Sequence, residues 1–349
     1  MIDLEKLVRP NILKLKPYTS ARSQHLNGLL LDANENAFGT VITDDNLELN
    51  RYPDPTQLML RQSIGDYLKI NPANIFCGVG SDEIIDLLVR IFCEPGKDKA
   101  VVFEPTYGMY KVVCDIQGVE TISFELNNYF QIDVDKFLQQ KSGLVKIIFI
   151  CSPNNPTANI INKNDIIRLA ENFNGIVVVD QAYIDFYDER EMLNEISKHS
   201  NIVLLRTFSK AWGLAGARFG LAVADSFVVK QLMNIKSPYN INKLTENVVL
   251  KSLNRIDQKN DILEKIKNER DYLTVELKSI KSIKLVYPSD ANFILFKVDN
   301  ADEVYNNLIP KGVIIRNRSN QKNLEGCLRV TVGTRDQNQK FIQELRAVL

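Results

Sequence analysis

The chain is poor in the residues on which several enzyme classes depend. Its 349 residues include two histidines, one tryptophan and five cysteines. The cysteines are scattered without a Cys-x-x-Cys pair, so neither a zinc ribbon nor a disulfide framework is expected. His25 and His199 lie near no Gly-x-Ser-x-Gly elbow and no cluster of metal-ligand residues, which argues against a Ser-His-Asp triad and against any metal site. An enzyme with this sequence needs another acid–base group, and lysine is available.

An excess of one charge and long apolar runs are also missing. Lysine and arginine number 43, and aspartate and glutamate number 43, so no basic surface for nucleic acid is expected. No apolar run approaches the ~20 residues of a membrane helix. Residues 1–6 carry charge where a signal peptide would be apolar. We therefore expect a cytoplasmic protein that binds neither nucleic acid nor membrane.

An α/β pattern occupies residues 70–225. Short, continuous apolar runs alternate with amphipathic stretches such as 82–92, as expected for a mostly parallel sheet buried on both faces. The runs begin at Ile75, Ala100, Lys146, Ile176, Ile202 and Phe219.

The pattern changes after about residue 240. A long charged helix is predicted over 257–280, and strands are predicted near 284–287, 292–296, 313–315 and 327–332. The apolar residues expected to face inward from the helix are Ile262, Ile266, Leu273, Leu277 and Ile280. These elements predict a smaller α+β domain, with the N-terminal segment packed on it or on a partner chain.

Polar residues recur where the predicted strands end. They are Ser81, Asp82, Tyr107, Asn155, Asp180, Tyr183, Thr207, Ser209 and Lys210. Ligands of open parallel sheets bind beyond this edge. Each position has an ordinary alternative: a helix start at 80–82, a core position for Tyr107, a turn at Asn155 and a helix cap at Asp180. Their coincidence at one edge favours a shared ligand.

Lys210 has the most specific chemistry of this set. It follows the apolar run 202–205 and shares its segment with Arg218. A desolvated lysine loses its charge, and its neutral amine can form a Schiff base with a phosphorylated aldehyde. Thr207, Ser209 and Arg218 would then hold the phosphate. The alternative for Lys210 taken alone is a solvated surface charge.

Three motifs in order, at 152–157, 179–183 and 209–218, resemble the cofactor-binding set of the fold-type I pyridoxal-phosphate aminotransferases, class II. The resemblance implies pyridoxal 5'-phosphate as cofactor. It implies a large α/β domain over 35–240, with a mostly parallel seven-stranded sheet between helices. Residues 1–34 together with 241–349 would form the smaller α+β domain.

The resemblance also implies a role for each matching residue. Lys210 would bind the cofactor covalently and carry a proton, and Asp180 would pair with its ring nitrogen. Asn155 and Tyr183 would bind its phenolic oxygen, and Tyr107 would stack on its ring. The phosphate would be held by Ser81, Asp82, Thr207, Ser209, Arg218 and, from the neighbouring subunit of a homodimer, Tyr52.

Within the family, the segments 31–36, 50–54, 183–186 and 328–333 are most similar to the branch that acts on L-histidinol phosphate. This implies transamination with 2-oxoglutarate in histidine biosynthesis, giving imidazole-acetol phosphate and glutamate. The implied substrate-binding residues are Arg329, Arg316, Tyr18 and Asn36. Both arginines also have a plain alternative as exposed strand charges.

Other activities of the same scaffold remain open at this point. They are an aminotransferase for aromatic or other amino acids, a phosphothreonine-type decarboxylase and a non-catalytic regulator. The lack of a DNA-binding module and the complete set around Lys210 argue against the regulator. Two positions depart from the family pattern, Ala158 in place of glycine and Gln181 in place of glutamate. Neither is expected to touch the cofactor.

Overall fold

The structure is a computed structural model that describes residues 2–24, 28–42, 47–188 and 192–349, so His25 lies outside the described residues. A seven-stranded sheet of order β1-β7-β6-β5-β4-β2-β3 forms its larger unit. The strands are β1 (Ile75–Val79), β2 (Lys99–Glu104), β3 (Glu120–Glu125), β4 (Val145–Cys151), β5 (Ile176–Asp180), β6 (Ile202–Thr207) and β7 (Phe219–Ala224). Six strands run in one direction, and β7 runs against its neighbours β1 and β6. The predicted fold class is confirmed.

Helices cover both faces of this sheet. The helices of the described chain are α1 (Pro10–Leu13), α2 (Ala21–Gln24), α3 (Leu58–Leu68), α4 (Gly80–Phe92), α5 (Met109–Ile116), α6 (Val134–Gln140), α7 (Lys163–Asn172), α8 (Ser226–Ile235), α9 (Lys243–Leu253), α10 (Ile256–Lys278), α11 (Ala301–Leu308) and α12 (Arg335–Val348). Helices α3, α6, α7 and α9 pack on one face, and α4, α5 and α8 pack on the other. In β5, Val177 and Val179 enter the first core while Ile176 and Val178 enter the second. Burial on both faces explains why the central strands are continuous apolar runs.

The smaller unit is a four-stranded antiparallel sheet of order β10-β11-β9-β8. Its strands are β8 (Leu285–Val286), β9 (Phe293–Lys297), β10 (Arg316–Asn317) and β11 (Cys327–Thr331). Leu328 and Val330 of β11 pack in a core with α10, α11 and α12. The predicted smaller α+β unit is therefore present.

Two predictions in this unit are wrong in detail. The strand predicted at 313–315 is not paired, and pairing begins at Arg316. Ile262 was expected to face inward from α10 but is half exposed, whereas its neighbour Leu263 is buried. Both adjacent residues are apolar, so the sequence alone does not decide which of them faces inward. Packing of the helix decides it.

The N-terminal segment packs on the larger unit over part of its length. Leu4, Leu7 and Val8 belong to the core on the α4 face of the large sheet. Arg9 Nε donates to Glu94 Oε2 over 3.0 Å. These contacts argue for assigning this part of 1–34 to the large unit, while the limits 35–240 and 241–349 stay predictions. Within the described ranges, no helix is both long enough and apolar enough to span a bilayer.

Candidate active site

The polar residues that follow the strands meet in one cavity at the carboxyl edge of the large sheet. All ten residues predicted for the cofactor within one chain line this cavity of about 140 Å³. They are Ser81, Asp82, Tyr107, Asn155, Asp180, Tyr183, Thr207, Ser209, Lys210 and Arg218. The predicted convergence therefore exists in the fold, while the individual roles stay predictions.

Lys210 follows β6 and faces this cavity. Its Nζ lies 5.5 Å from the centroid of the Tyr183 ring. Burial, followed by the nearby charge of Arg329, lowers the pKa of Lys210, and the carboxylate of Asp180 opposes that change. The neutral amine, which is the nucleophilic form, is therefore easier to reach here than for a lysine in water.

Asp180 ends β5 as a buried acceptor. Its Oδ2 accepts from Tyr110 OH over 2.7 Å, and its Oδ1 accepts from the main-chain N–H of Ala182 over 3.1 Å. Burial raises the pKa of Asp180 to about 6, although both hydrogen bonds act to lower it. A cationic or proton-bearing nitrogen in the cavity would find here a fixed carboxylate with little competing water.

Tyr110 is the site residue that the sequence prediction missed. It lies on α5, is fully buried and stacks on Phe149 with ring centroids 4.9 Å apart. Its ring also meets the edge of Tyr107 at 5.5 Å. Tyr107 lies before α5 begins at Met109, so helical spacing does not relate the two tyrosines. No pattern in the sequence identified Tyr110, because its position depends on how α5 packs on the sheet.

The start of α4 forms a cradle of hydrogen-bond donors. Gly80 adopts a φ of +72°, and a Cβ atom there would lie 2.9 Å from Arg218 Nη2. On β7, a Cβ atom at Gly220 would lie 2.5 Å from the main-chain N of Ser81. Glycine is required at 220 because main-chain atoms of the helix start lie this close, and it is favoured at 80 by the left-handed backbone conformation.

The donors in this cradle suit a phosphate group. The free N–H groups at the start of a helix and its positive end attract anions. Beside them stand Thr207, whose Oγ1 donates to Ser209 Oγ over 2.9 Å, and Arg218, whose Nη2 lies 3.3 Å from Asp82 Oδ2. The donor set therefore fits the phosphate of the predicted cofactor.

Tyr107, Tyr183 and Asn155 surround the opening near Lys210. Tyr107 OH donates to Asp82 Oδ1 over 3.2 Å, so Tyr107 is not a plain core residue. Tyr183 meets the edge of Phe293 at 5.1 Å, and burial raises the pKa of its hydroxyl. Asn155 Oδ1 accepts from Arg329 Nη1. This last contact joins the small sheet to the rim of the cavity.

The two predicted substrate arginines differ in their surroundings. Arg329 lies over the ring of Phe293 at 4.9 Å, and burial together with the neighbouring Arg318 lowers its pKa to about 10. Arg316 pairs with Arg329 in register but is exposed. The alternative of an exposed strand charge therefore does not describe Arg329.

The remaining predicted residues do not line the Lys210 cavity of their own chain. Tyr18 is 77% exposed and borders a separate groove. Asn36 Oδ1 accepts from the N–H of Phe38, and Tyr52 stacks on Tyr239 with centroids 4.4 Å apart. Their predicted contacts require a second chain or a different arrangement of these segments.

The two departures from the family pattern lie outside the cavity lining. Ala158 is fully buried at a φ of +66°, a conformation that glycine adopts more easily. Gln181 Oε1 accepts from Arg206 Nη2 over 3.2 Å inside the protein. Ala158 packs in one apolar cluster with Tyr183 and Phe293, behind the cavity wall.

A lysine with a lowered pKa, a buried carboxylate and a cradle of donors suited to phosphate lie together at one edge of the sheet, as expected of an α/β enzyme that holds a phosphorylated ligand through a lysine. The model of the aminotransferase class I and II family matches residues 27–345. The chain belongs to this family, which confirms the resemblance seen in its motifs.

Relatives match along the whole chain. A histidinol-phosphate aminotransferase of Cytophaga hutchinsonii is 44% identical over 99% of both chains. Another from Christiangramia forsetii is 43% identical over 99% of this chain and 97% of its own.

Solved structures share the fold. The histidinol-phosphate aminotransferase of Clostridium acetobutylicum has a TM-score of 0.79 at 28% identity, over 86% of this chain and 91% of that one. The enzyme of the same name from Sinorhizobium meliloti, in complex with pyridoxal-5'-phosphate, has a TM-score of 0.80 at 19% identity over 97% of each chain.

Proposed function

We propose that the chain transfers the amino group of L-histidinol phosphate to 2-oxoglutarate, giving imidazole-acetol phosphate and glutamate in histidine biosynthesis. The observation that carries this proposal is the 43–44% identity, over nearly the full length, to relatives named histidinol-phosphate aminotransferase. The cofactor is pyridoxal 5'-phosphate, which a structural neighbour holds and which the donor cradle at α4 suits.

The residues of the cavity hold this cofactor at separate points. When bound, the cofactor supplies an electron sink for charge that develops on the substrate. Lys210 Nζ binds its aldehyde carbon, Asp180 accepts from its ring nitrogen, and Tyr107 covers its ring. Asn155 and Tyr183 donate to its phenolic oxygen. Its phosphate is held by the N–H groups of Ser81 and Asp82 with the side chains of Thr207, Ser209 and Arg218.

Lys210 is also the proton carrier. When the substrate amine takes its place, the released Nζ removes the proton from the substrate Cα and returns it at C4′ of the cofactor. A general base must be unprotonated to act, and burial and Arg329 lower the pKa of Lys210 in that direction.

The arginines bind the anionic end of each substrate in turn. Arg329 and Arg316 hold the phosphate of L-histidinol phosphate and, in the second half-reaction, a carboxylate of 2-oxoglutarate. The planar guanidinium suits both groups. Tyr18 and Asn36 complete the substrate pocket from outside the cavity of their own chain.

The proposed assembly is a homodimer in which Tyr52 reaches the cofactor phosphate of the partner. Tyr52 is half exposed and lies outside its own cavity. The nearby segment also exposes apolar side chains, which typically mark an interface: Leu29, Leu31, Phe38, Val41 and Ile42. We place the enzyme in the cytoplasm, because its five cysteines are free thiols and a reducing compartment keeps them so.

Mixing two inactive or weak variants tests the shared site. Lys210→Ala and Tyr52→Ala chains are unfolded and refolded together, so that mixed dimers form. One site of each mixed dimer then combines an intact Lys210 with an intact Tyr52. We expect the mixture to be more active than either variant alone. If the mixture is no more active than the same amount of Tyr52→Ala mixed with an inactive chain, the proposal of a site shared between two chains is contradicted.

A substrate panel tests the reaction. With 2-oxoglutarate as acceptor, we expect glutamate to form with L-histidinol phosphate, and Lys210→Ala to abolish this turnover. Glutamate from phenylalanine or aspartate but not from L-histidinol phosphate would overturn the substrate. Release of carbon dioxide from phosphothreonine would indicate a decarboxylase.

A further inference from the structure

We propose that Arg318 is a third substrate-binding arginine, and that it makes the site prefer a phosphate monoester dianion over a monoanionic carboxylate. This inference rests on the proposed function, since it concerns the anionic end of the same substrate. The arginines predicted from the sequence are Arg316 and Arg329 only.

The register of the small sheet places the three arginines together. Arg316 is paired with Arg329, and the N–H of Arg318 continues the ladder by donating to Cys327 O over 2.9 Å. Residues two apart on a strand, and residues directly opposite across a ladder, share one face of a sheet. This is the face from which Arg329 contacts Asn155 and Phe293 at the cavity rim.

The charges of this arginine cluster (Arg316, Arg318 and Arg329) are not neutralised by the protein. In the part of the chain that the structure describes, none of the three has an ion pair. The Nε atoms of Arg318 and Arg329 are buried without a hydrogen-bond partner. Buried donors of this kind cost free energy that an anion between them would recover.

Arg318 is the closer electrostatic neighbour of Arg329. After burial, the charge of Arg318 lowers the pKa of Arg329 more than the charge of Arg316 does. Burial and then Arg316 lower the pKa of Arg318 itself, while Tyr183 opposes this. Arg318 is therefore near enough to the cavity residue Tyr183 to interact with it electrostatically, and it shares its face of the small sheet with Arg316 and Arg329.

A third cation distinguishes the two kinds of substrate. A phosphate monoester carries a charge of about −1.5 to −2 at pH 7, because its second pKa is about 6. A carboxylate carries one charge and has two oxygens, which two guanidinium groups can satisfy. A third guanidinium adds a charge-assisted hydrogen bond that the third phosphate oxygen can accept.

The half-reactions of the cofactor-loaded enzyme test this assignment, because each uses one kind of anion. Single-turnover rates are measured with L-histidinol phosphate and, separately, with L-glutamate. For Arg318→Gln we expect the rate at low substrate to fall about 10- to 100-fold with L-histidinol phosphate and less than about threefold with L-glutamate. The difference should shrink below about pH 6, where the phosphate becomes a monoanion.

Two further variants separate charge at the site from general effects. Arg318→Lys keeps the charge and should recover part of the loss. Arg335→Gln removes an arginine charge from the same unit, where Arg335 pairs with Glu269, and should leave the ratio of the two rates unchanged. Calorimetric titration of the loaded enzyme with inorganic phosphate should show weaker binding in Arg318→Gln and normal binding in Arg335→Gln.

Equal losses with both substrates, or unchanged phosphate binding in Arg318→Gln, would overturn the assignment of Arg318. A wild-type enzyme that does not turn over L-histidinol phosphate would instead overturn the proposed function. The titration with inorganic phosphate decides the role of Arg318 in that case too.

Discussion

Tyr110 shows how one buried hydroxyl adjusts the chemistry of the site. It donates to the Asp180 carboxylate, which has a second donor in the N–H of Ala182. A carboxylate that accepts hydrogen bonds is less basic. Under the proposed function, Asp180 would then leave a shared proton on the ring nitrogen of the cofactor.

The variant Tyr110→Phe removes this donor and keeps the ring that stacks on Phe149. We expect the pKa of Asp180 to rise further above about 6, because burial is then opposed by one hydrogen bond fewer. The rate constant kcat should fall about 10-fold while KM changes less than about twofold. Titration of the cofactor absorbance against pH should shift as well.

Tyr129→Phe serves as the reference, since Tyr129 is largely exposed and remote from the cavity lining. An unchanged absorbance titration in Tyr110→Phe would show that the hydroxyl does not act through Asp180.

Residues at strand ends were predictable from the sequence, and residues placed by packing were not. Asp180 ends one apolar run and Lys210 lies a few residues beyond the next, and parallel strands end at a common edge. Tyr110 reaches the same place from a helix, whose rotation depends on the core beneath it. Tyr18 and Tyr52 lie outside the cavity of their own chain, so no pattern within one strand or helix could place them.

At the scale of an element, hydrogen bonds to the carboxylate of Glu35 stabilise the segment that precedes α3. Its Oε2 accepts from Arg22 Nη2 over 2.6 Å and from Arg51 Nη1 over 2.9 Å, and its Oε1 accepts from the N–H of Tyr52 over 2.7 Å. Burial raises the pKa of Glu35, but these hydrogen bonds outweigh it and bring the pKa down to about 2. The segment that carries Asn36 and Tyr52 is therefore held by an ionised carboxylate.

This network predicts a pH-dependent stability. The pKa of Glu35 is lower in the folded protein than the value near 4.5 of the unfolded chain. Its stabilisation is therefore complete above about pH 4.5 and is lost as the pH falls towards 2. Glu35→Gln should be less stable than wild type in urea unfolding at pH 7, and the gap should narrow as the pH falls below 4.5.

Glu120→Gln is the matched control, because Glu120 is exposed and forms its ion pair with Lys99 at the surface. A gap between Glu35→Gln and wild type that stays constant from pH 7 to pH 3 would contradict the network.

The sequence predicted the strands that are buried on both faces. The strands β4, β5 and β6 were recognised as continuous apolar runs. The edge strand β3 was missed, because it lies against one neighbour and none of its residues is fully buried. Residues 313–315 were expected to form a strand because they are apolar. Val313 and Ile315 pack in the small core instead, and this segment is not paired with a neighbouring strand.

At the scale of the whole molecule, Lys259 joins the two units. It lies on α10, and its Nζ is 2.9 Å from Asp185 Oδ1 and 3.2 Å from Tyr67 OH. The same Nζ lies 5.5 Å from the ring of Trp212, two residues beyond Lys210. The long helix is therefore tied to the loop that carries the active-site lysine.

The variant Lys259→Met should leave the carboxylate of Asp185 buried without its cation. We expect the free energy of unfolding to fall by about 3 kcal/mol or more, as when one partner of a buried ion pair is removed. Urea unfolding measures this loss, with the exposed Lys265→Met on the same helix as reference. The double variant Lys259→Met/Asp185→Asn should recover part of it; a double variant as unstable as the sum of both single changes would show that the pair is not coupled.

The division into two units followed from the change of pattern near residue 240, but the position of the N-terminal segment did not. Leu4, Leu7 and Val8 form a short apolar patch that could cover either sheet. A patch of this size carries no periodicity that would identify its partner.

The direction of β7 has a consequence for how this scaffold can diversify. Because β7 runs against its neighbours, the chain reaches the site at the end of β6 and leaves it along β7, so Lys210 and Arg218 lie in one short connection. The residues proposed to bind the aldehyde and the phosphate of the cofactor thus belong to a single fragment of eleven residues, 208–218. Insertions there would displace both residues together, whereas Arg316 and Arg329 lie on separate strands of the small sheet. Under the proposed function, substrate binding can therefore change through the small sheet while the connection that carries Lys210 and Arg218 stays as it is.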